Sequence, residues 1–245
     1  MARIPLATLA LSAALAVPGL ASEAPSKVVE KTLVLAPDGR LVLDTYKGRV
    51  AITAWDRSEA SIRAVVTADG SCDESADLVA RTNVRIEGGG REVRVVSDYD
   101  DLPKMTFTFG RDCGSRPFVE YEIRMPRGAS LRLKDYKSRI SVDGLAGDVS
   151  VDSYKGGIRL TRLAGGLDLE TYKGDALAEF ETLGGGLRAE TYKGEIDLVL
   201  PKAARVDLEE SIGRRGSFAA DVQAVRGGRR VSVDTYKGTI RLRTR

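Results

Sequence analysis

A tyrosine followed by a lysine recurs along this chain with a spacing that could build a binding surface. Thr-Tyr-Lys-Gly occurs four times, and Ser-Tyr-Lys-Gly and Asp-Tyr-Lys-Ser add two variant copies. Tyrosine rings can stack on sugar rings, and lysine ammonium groups bind carboxylates and phosphates. The pattern predicts a ligand-binding row for an extended anionic partner, made of Tyr136, Lys137, Tyr154, Lys155, Tyr172, Lys173, Tyr192, Lys193, Tyr236 and Lys237.

The same row also has a purely structural interpretation. Like charges on neighbouring turns of a fold repel each other, so a column of lysines needs compensation. An acidic residue stands three positions before five of the lysines, at Asp44, Asp152, Glu170, Glu190 and Asp234. If these carboxylates neutralise the lysines, the stacked rings and lysine stems would only stabilise a corner of the fold. The sequence leaves both interpretations open.

Catalytic chemistry has little support in the composition. The chain has no histidine, which excludes a Ser-His-Asp or Cys-His arrangement. No Gly-x-x-x-x-Gly-Lys-Ser/Thr phosphate loop occurs. The acidic column could place two carboxylates at the separation that glycoside hydrolysis needs, so a carbohydrate-active enzyme is a weaker alternative. We predict that the protein is not an enzyme and has no catalytic residue, no metal site and no cofactor.

The residues around each copy indicate which elements must position the row. Apolar residues stand two and four positions before the threonine and two and four positions after the glycine, which predicts two short strands flanking a turn. Glycine after Tyr-Lys suits the position of a type II turn that has a positive φ. We expect the hydroxyls at the threonine position to point inward and to satisfy backbone groups of the turn.

The copies repeat at a nearly constant period. Tyr136, Tyr154, Tyr172 and Tyr192 are spaced by 18 to 20 residues, and Ser211 lies where a degenerate copy would follow. Such a period predicts either a meander or a solenoid in which each unit is one coil. The solenoid is favoured, because type II turns splay hairpin strands and because a coil covers its own apolar face. The predicted fold is therefore all-β, a β-solenoid with coils of about 18–20 residues and a less regular β-rich N-terminal part.

The chain begins like an exported protein. Residues 1–21 have a basic start, a short apolar run and a small-x-small site, which predicts a signal peptide cleaved near Ala21. Residues 22–245 are predicted to form one domain, irregular over 27–130 and regular over 131–245, without a membrane-spanning segment. In an oxidising compartment, Cys72 and Cys113 are expected to form a disulfide. The formal net charge of +3 indicates no strong partner preference.

The repeats resemble a bacterial family of exported β-strand-repeat domains labelled "putative adhesin". The resemblance rests on the Pro-x-Gly-Ala-Ser-Leu sequence at Pro126–Leu131, on repeats with a small-residue-Gly turn followed by Ile-x-Val, and on a closing strand pair at Thr235–Leu242. It covers most of residues 27–245 and implies a β-solenoid. Most members have Ser or Asn where this chain has Tyr-Lys, so the candidate row departs from the family pattern.

These observations predict a non-enzymatic protein of the cell envelope or cell surface, periplasmic or extracellular after cleavage. Its expected partner is an envelope polysaccharide or an envelope protein, and a regulatory role in envelope stress sensing is the alternative. Nucleic acid could meet the same Tyr-Lys surface, but we expect none as a natural partner because the chain is exported. The oligomeric state does not follow from the sequence.

Overall fold

A computed structural model describes residues 24–70, 74–103 and 115–245 of the chain. The predicted signal peptide, its cleavage site at Ala21 and both cysteines, Cys72 and Cys113, lie outside these described residues. Within the described ranges, no helix has the length and apolar character that crossing a membrane requires.

Nearly all of the regular structure is β-strand. In the described part of the chain, one short helix, α1 (Ser75–Arg81), lies among eighteen strands. The strands are β1 (Ser26–Asp44), β2 (Lys47–Trp55), β3 (Glu59–Thr67), β4 (Asn83–Asp98), β5 (Phe118–Pro126), β6 (Ser130–Asp135), β7 (Lys137–Asp143), β8 (Val149–Ser153), β9 (Gly157–Leu163), β10 (Leu167–Thr171), β11 (Asp175–Phe180), β12 (Leu187–Thr191), β13 (Glu195–Leu200), β14 (Arg205–Ile212), β15 (Ser217–Asp221), β16 (Gln223–Ala224), β17 (Arg229–Thr235) and β18 (Thr239–Thr244).

The strands form two long sheets that are mostly parallel. Sheet I has the order β4-β1-β6-β8-β10-β12-β17-β14-β16. Sheet II has the order β1-β3-β5-β2-β7-β9-β11-β13-β18-β15, and its β1–β3 and β3–β5 pairings are antiparallel. Each regular coil places one strand in each sheet. The predicted β-solenoid is confirmed, and the meander is wrong.

In-register stacking places like residues on like residues. The inward columns of sheet I bring Leu131, Val149, Leu167 and Leu187 next to one another, and all four are buried. The inward columns of sheet II do the same with Ile140, Ile158, Ala176 and Ile196. Burying an aliphatic side chain contributes about 1.5–3 kcal/mol, so this repeated alternation supplies the driving force for the coil.

The spatial order of the coils differs from their order in the chain at both ends. The coil of β1 and β2, which carries Tyr46, lies beside the coil of β6 and β7. The coil of β17 and β18, which carries Tyr236, lies on that of β12 and β13, and the β14–β15 coil is outermost. Ser211 lies opposite Asp234, so the degenerate copy predicted at Ser211 does not follow Tyr192 in space.

The predicted type II turn is wrong, and the glycines serve another purpose. A type II turn needs φ near +80°, whereas φ is 140° at Gly48, 137° at Gly156 and 158° at Gly194. A Cβ atom on Gly156 would lie 1.9 Å from the carbonyl oxygen of Ser138, and one on Gly174 would lie 2.2 Å from that of Gly156. Glycine is required because the backbone of the neighbouring coil approaches too closely for a side chain.

Candidate functional site: the Tyr-Lys corner

Backbone hydrogen bonds continue through the corner that joins the two sheets. The Lys155 amide donates to the Tyr136 carbonyl at 3.0 Å, and the Lys173 amide donates to the Tyr154 carbonyl at 3.0 Å. The tyrosine amides form equivalent bonds one residue earlier in the chain. The Tyr172 amide, for example, donates to the Ser153 carbonyl at 3.1 Å. Each tyrosine and lysine is therefore fixed at the backbone with the same register as the sheets.

The tyrosines form one continuous stack. Neighbouring ring centroids are 4.6–5.1 Å apart and the ring planes differ by at most 14°. This geometry is offset stacking. The stack extends over about 24 Å, five coil spacings, and its members are Tyr46, Tyr136, Tyr154, Tyr172, Tyr192 and Tyr236. The structure brings the predicted tyrosines together and adds Tyr46, which comes from a distant part of the chain.

Both ends of the stack are defined by specific residues. At one end, Tyr99 meets Tyr46 edge to face at 6.0 Å, and the Arg116 guanidinium lies 4.4 Å from the Tyr46 ring centroid. At the other end, a Cβ atom on Gly213 would lie 2.9 Å from the Cα atom of Tyr236. Glycine at this position lets the outermost coil pack directly against the last tyrosine.

Stacking changes what the tyrosines can bind. Each interior ring contacts another ring on both faces, so the predicted stacking of tyrosine faces on sugar rings is not available to Tyr136, Tyr154, Tyr172 or Tyr192. The rings remain partly open to solvent, with Tyr136 39% and Tyr172 38% exposed. Since the faces are covered, these rings offer a partner only their edges and hydroxyl groups.

The lysines form a row beside the stack. Lys137, Lys173, Lys193 and Lys237 are exposed and Lys155 is half-buried. The Lys173 ammonium lies 5.4 Å from the Tyr172 ring centroid, and that of Lys237 lies 5.3 Å from the Tyr192 centroid. No ion pair in the described part of the chain includes any of these five lysines. This Lys row therefore carries five positive charges without ion-pair partners.

The acidic column does not neutralise the Lys row. Asp152, Glu170, Glu190 and Asp234 lie in register on the outer face of sheet I. Asp152 and Glu170 line an open groove of about 430 Å³ together with Tyr46, Tyr136, Tyr154 and Tyr172, and no member of the Lys row contributes to that groove. Partial burial raises the pKa of Glu190, Arg188 lowers it, and Asp234 and Glu170 raise it further. The tyrosine stack thus separates a basic row from an acidic one.

Lys47 is an exception within the repeats. It is buried, its ammonium pairs with Asp69 and donates to Ser115 Oγ at 2.8 Å, and it lies 4.4 Å from the Phe118 ring centroid. Burial would raise the pKa of Asp69, but hydrogen bonds from Lys47 and Ser115 lower it below its ordinary value. A serine beside a lysine is a possible nucleophile and base. Here the Lys47 ammonium donates to Ser115 Oγ and the Ser115 hydroxyl donates to Asp69 at 2.6 Å, so Lys47 is not placed to accept the Ser115 proton.

The threonine position points inward, as predicted. The Thr171 hydroxyl accepts a hydrogen bond from the Gly174 amide at 3.0 Å, and that of Thr235 accepts one from Gly238 at 2.9 Å. In the variant copy, Asp135 takes this position and accepts hydrogen bonds from the Ser138 amide at 2.8 Å and from Ser153 Oγ at 3.0 Å. These groups support the corner from within and are not accessible to a partner.

Asp135 gives the corner a testable pH dependence. Burial raises its pKa above the ordinary value near 3.8, although hydrogen bonds from Ser138 and Ser153 oppose the change. The folded state therefore retains a proton that the unfolded state releases, and stability falls as pH rises from about 3.8 through the folded pKa. We expect Asp135→Thr, which restores the regular repeat, to gain stability relative to the native protein as pH rises from 3 to 7. Urea unfolding at several pH values measures this difference, and a difference that stays constant or shrinks would contradict the expectation.

Comparison with known proteins agrees with this fold. Residues 126–242 match the family described as Toastrack DUF4097. The resemblance to the "putative adhesin" domains is confirmed. A search of curated proteins gives no match to this chain.

Two solved structures match this chain at low sequence identity. A "putative cell adhesion protein" from Clostridium sporogenes has 12% identity and a TM-score of 0.50, covering 89% of this chain and all of its own. A "putative adhesin" from Bacteroides fragilis has 11% identity and a TM-score of 0.39, covering 88% of this chain and 96% of its own. The first of these supports the fold and does not bear on function.

Proposed function

We propose that this protein is a non-enzymatic binding protein of the cell envelope whose Lys row docks an extended anionic polymer. The observation that carries the proposal is the row of five lysines along a rigid tyrosine stack, none of which has an ion-pair partner among the described residues. The predicted export signal supports an envelope location, and an anionic envelope polysaccharide is the partner of matching charge.

Electrostatic repulsion within the row favours such a partner. Two unit charges about 5 Å apart in water repel by about 0.8 kcal/mol. The coil spacing is shorter than the Debye length of about 8 Å at physiological ionic strength, so salt screens neighbouring lysines only in part. A polymer that carries regularly spaced anions relieves this repulsion at several coils at once. A small anion relieves the repulsion at only one or two coils.

The tyrosine stack gives the row its rigidity. Because the stacked rings and the backbone bonds fix the coil spacing, the lysine stems start from predetermined positions along a straight line. Less conformational entropy is then lost when an extended partner binds. In this proposal the tyrosines organise the site, and the lysines make the contacts.

Absence of catalysis is part of the proposal. Lys47 and Ser115 form a lysine–serine contact in the described part of the chain, but the lysine donates to Ser115 Oγ and the serine hydroxyl donates to Asp69. Among the described residues, no group of three acidic or cysteine side chains is positioned to hold a metal ion. The chemistry at the corner is accordingly that of reversible electrostatic binding.

Cosedimentation of the native protein with envelope polymers tests this proposal. We expect the protein to sediment with an insoluble acidic polysaccharide at low salt and to be released at high salt, because the contacts are exposed ion pairs. A neutral polysaccharide with the same backbone is the control. Equal binding to both polymers, or binding that salt does not weaken, would contradict the proposal.

A further inference from the structure

The outer face of sheet II carries three more cations next to the start of the Lys row. Arg49 on β2 lies opposite Arg139 on β7, and Arg159 on β9 lies opposite Ser141 on β7. All three arginines are exposed, and none takes part in an ion pair of the described residues. With Lys137 and Lys155 they concentrate unpaired positive charge on three adjacent coils.

A glycine opens a hollow at the border between this group and the acidic part of the same face. Gly157 takes the column position that Arg139 occupies on one neighbouring coil and Asp175 occupies on the other. It belongs to an open depression of about 980 Å³ on this face. Arg49, Arg139 and Arg159 line the part of the depression on β2, β7 and β9, and the carboxylates of Glu120, Asp175, Glu195 and Asp197 line the rest. The missing side chain therefore lets a ligand group approach the guanidinium groups closely.

Folding does not require glycine at this position. A Cβ atom on Gly157 would meet no atom within 4 Å, and its φ is not in the left-handed region. Gly156, its neighbour in the chain, has the opposite environment, since a Cβ atom there would lie 1.9 Å from a carbonyl oxygen. Gly157 thus has space for a side chain and leaves that space empty.

The charge of this face changes sign further along the solenoid. Asp175 on β11 and Glu195 on β13 take the column position of Arg139 and Gly157. Arg241 lies beyond them and pairs with Glu195 at 2.9 Å. An anion on this face therefore meets additional cations on β2, β7 and β9. It meets carboxylates on β11 and β13 at one side and Glu120 of β5, opposite Arg49, at the other.

We infer that the hollow at Gly157 is the principal anion subsite of this protein. It binds a carboxylate, sulfate or phosphate substituent of the polymer through Arg139 and Arg159, and Lys155 contributes the adjacent charge. Guanidinium groups suit this role because their fork of donors matches the oxygens of such an anion. This inference rests on the proposed function and specifies where along the row the polymer is held most strongly.

Binding of a short and a long oligogalacturonate by titration calorimetry tests the inference. The double variant Arg139→Ala/Arg159→Ala is expected to bind the trimer at least about tenfold more weakly than the native protein. The reason is that each hydrogen bond from a guanidinium group to the anion contributes to the binding free energy. Lys173→Gln with Lys193→Gln, further along the row, is expected to weaken the trimer less than about twofold and the long oligomer more. Inorganic sulfate and phosphate serve as competitors and show whether the hollow selects among oxyanions.

Gly157→Asp and Gly157→Asn form a matched pair that fills the hollow with and without a charge. Both variants should fold, and Gly157→Asp should weaken trimer binding more than Gly157→Asn. One result would overturn the subsite at Gly157 and leave the proposed role of the Lys row intact. In that result, the Arg139/Arg159 variant binds the trimer like the native protein, and the Lys173/Lys193 variant no longer binds the long oligomer. If neither double variant affects either oligomer, both proposals fail.

Discussion

Replacing Gly156 with alanine is expected to destabilise the protein by more than about 3 kcal/mol, which is large for one methyl group. The new Cβ atom would lie 1.9 Å from the Ser138 carbonyl oxygen, and φ at this residue is 137°, a region that residues with side chains avoid. Relief would require the neighbouring coil to move and would disturb the backbone bonds of the corner. Urea unfolding of the purified variant measures the loss.

Gly157→Ala is the matched control, one residue further along the chain. Its Cβ atom would meet no atom within 4 Å, and its φ is compatible with alanine. Stability should be unchanged or increased by up to about 1 kcal/mol, since alanine lowers the entropy of the unfolded chain. Equal effects of the two substitutions would show that coil-to-coil contact is not what requires glycine at the corner.

Changing four lysines of the row to glutamine is expected to cause a large loss of affinity for an acidic polysaccharide. Lys137, Lys155, Lys173 and Lys193 are replaced together, which keeps the stems over the tyrosine rings and removes the charge. If each exposed contact contributes between about 0.2 and 1 kcal/mol, the four together contribute about 0.8–4 kcal/mol, and affinity for an acidic polysaccharide falls by between about 4-fold and several hundred-fold. Stability should hold or rise slightly, because the repulsion within the row is gone.

A control variant separates local from global charge effects. Arg40, Arg124, Arg132 and Lys202 are exposed, lie away from the Lys row in the fold and form no ion pair among the described residues. Changing these four to glutamine alters the net charge by the same amount and should leave affinity within about threefold of native. A similar loss in both variants would mean that binding follows net charge rather than the row.

Much of the architecture could be predicted because it repeats. Alternating apolar residues such as Leu167 and Leu169 set two strands per unit, and coils were favoured over a meander because a coil covers its own apolar face. The stack of Tyr136, Tyr154, Tyr172 and Tyr192 follows directly once coils are in register. These features depend on local sequence and a single period, which is why the residues alone indicate them.

Other features depend on contacts between distant coils. Gly156 and Gly157 are adjacent identical residues, yet only Gly156 faces a neighbouring carbonyl, so the type II turn was a reasonable but wrong interpretation. The order of the coils is set by which surfaces fit: Tyr236 continues the ring stack on Tyr192, which Ser211 cannot do. The order of the copies in the sequence does not indicate that the coil of Tyr236, rather than the segment of Ser211, packs next to Tyr192.

The candidate site was predicted in part. The sequence places the acidic column three residues before the lysines, but the intervening tyrosines hold the two rows on different sides of the corner. The pairing of Lys47 with Asp69 and the cluster of Arg49, Arg139 and Arg159 arise from separate segments, and nothing in the repeat indicates them. The arginines could have been predicted to lie together only if the register between the strands had been known, because the register decides which residues are neighbours on the sheet.

Lysine footprinting of the native protein tests the central claim most directly. The protein is acetylated with and without a bound acidic polysaccharide, and mass spectrometry measures the rate at each lysine. We predict that the polymer protects Lys137, Lys155, Lys173, Lys193 and Lys237 and leaves Lys202 reacting at its free rate. Protection of Lys202 equal to that of the row, or no protection of the row in a polymer-bound sample, would contradict the assignment of the Tyr-Lys corner as the binding surface.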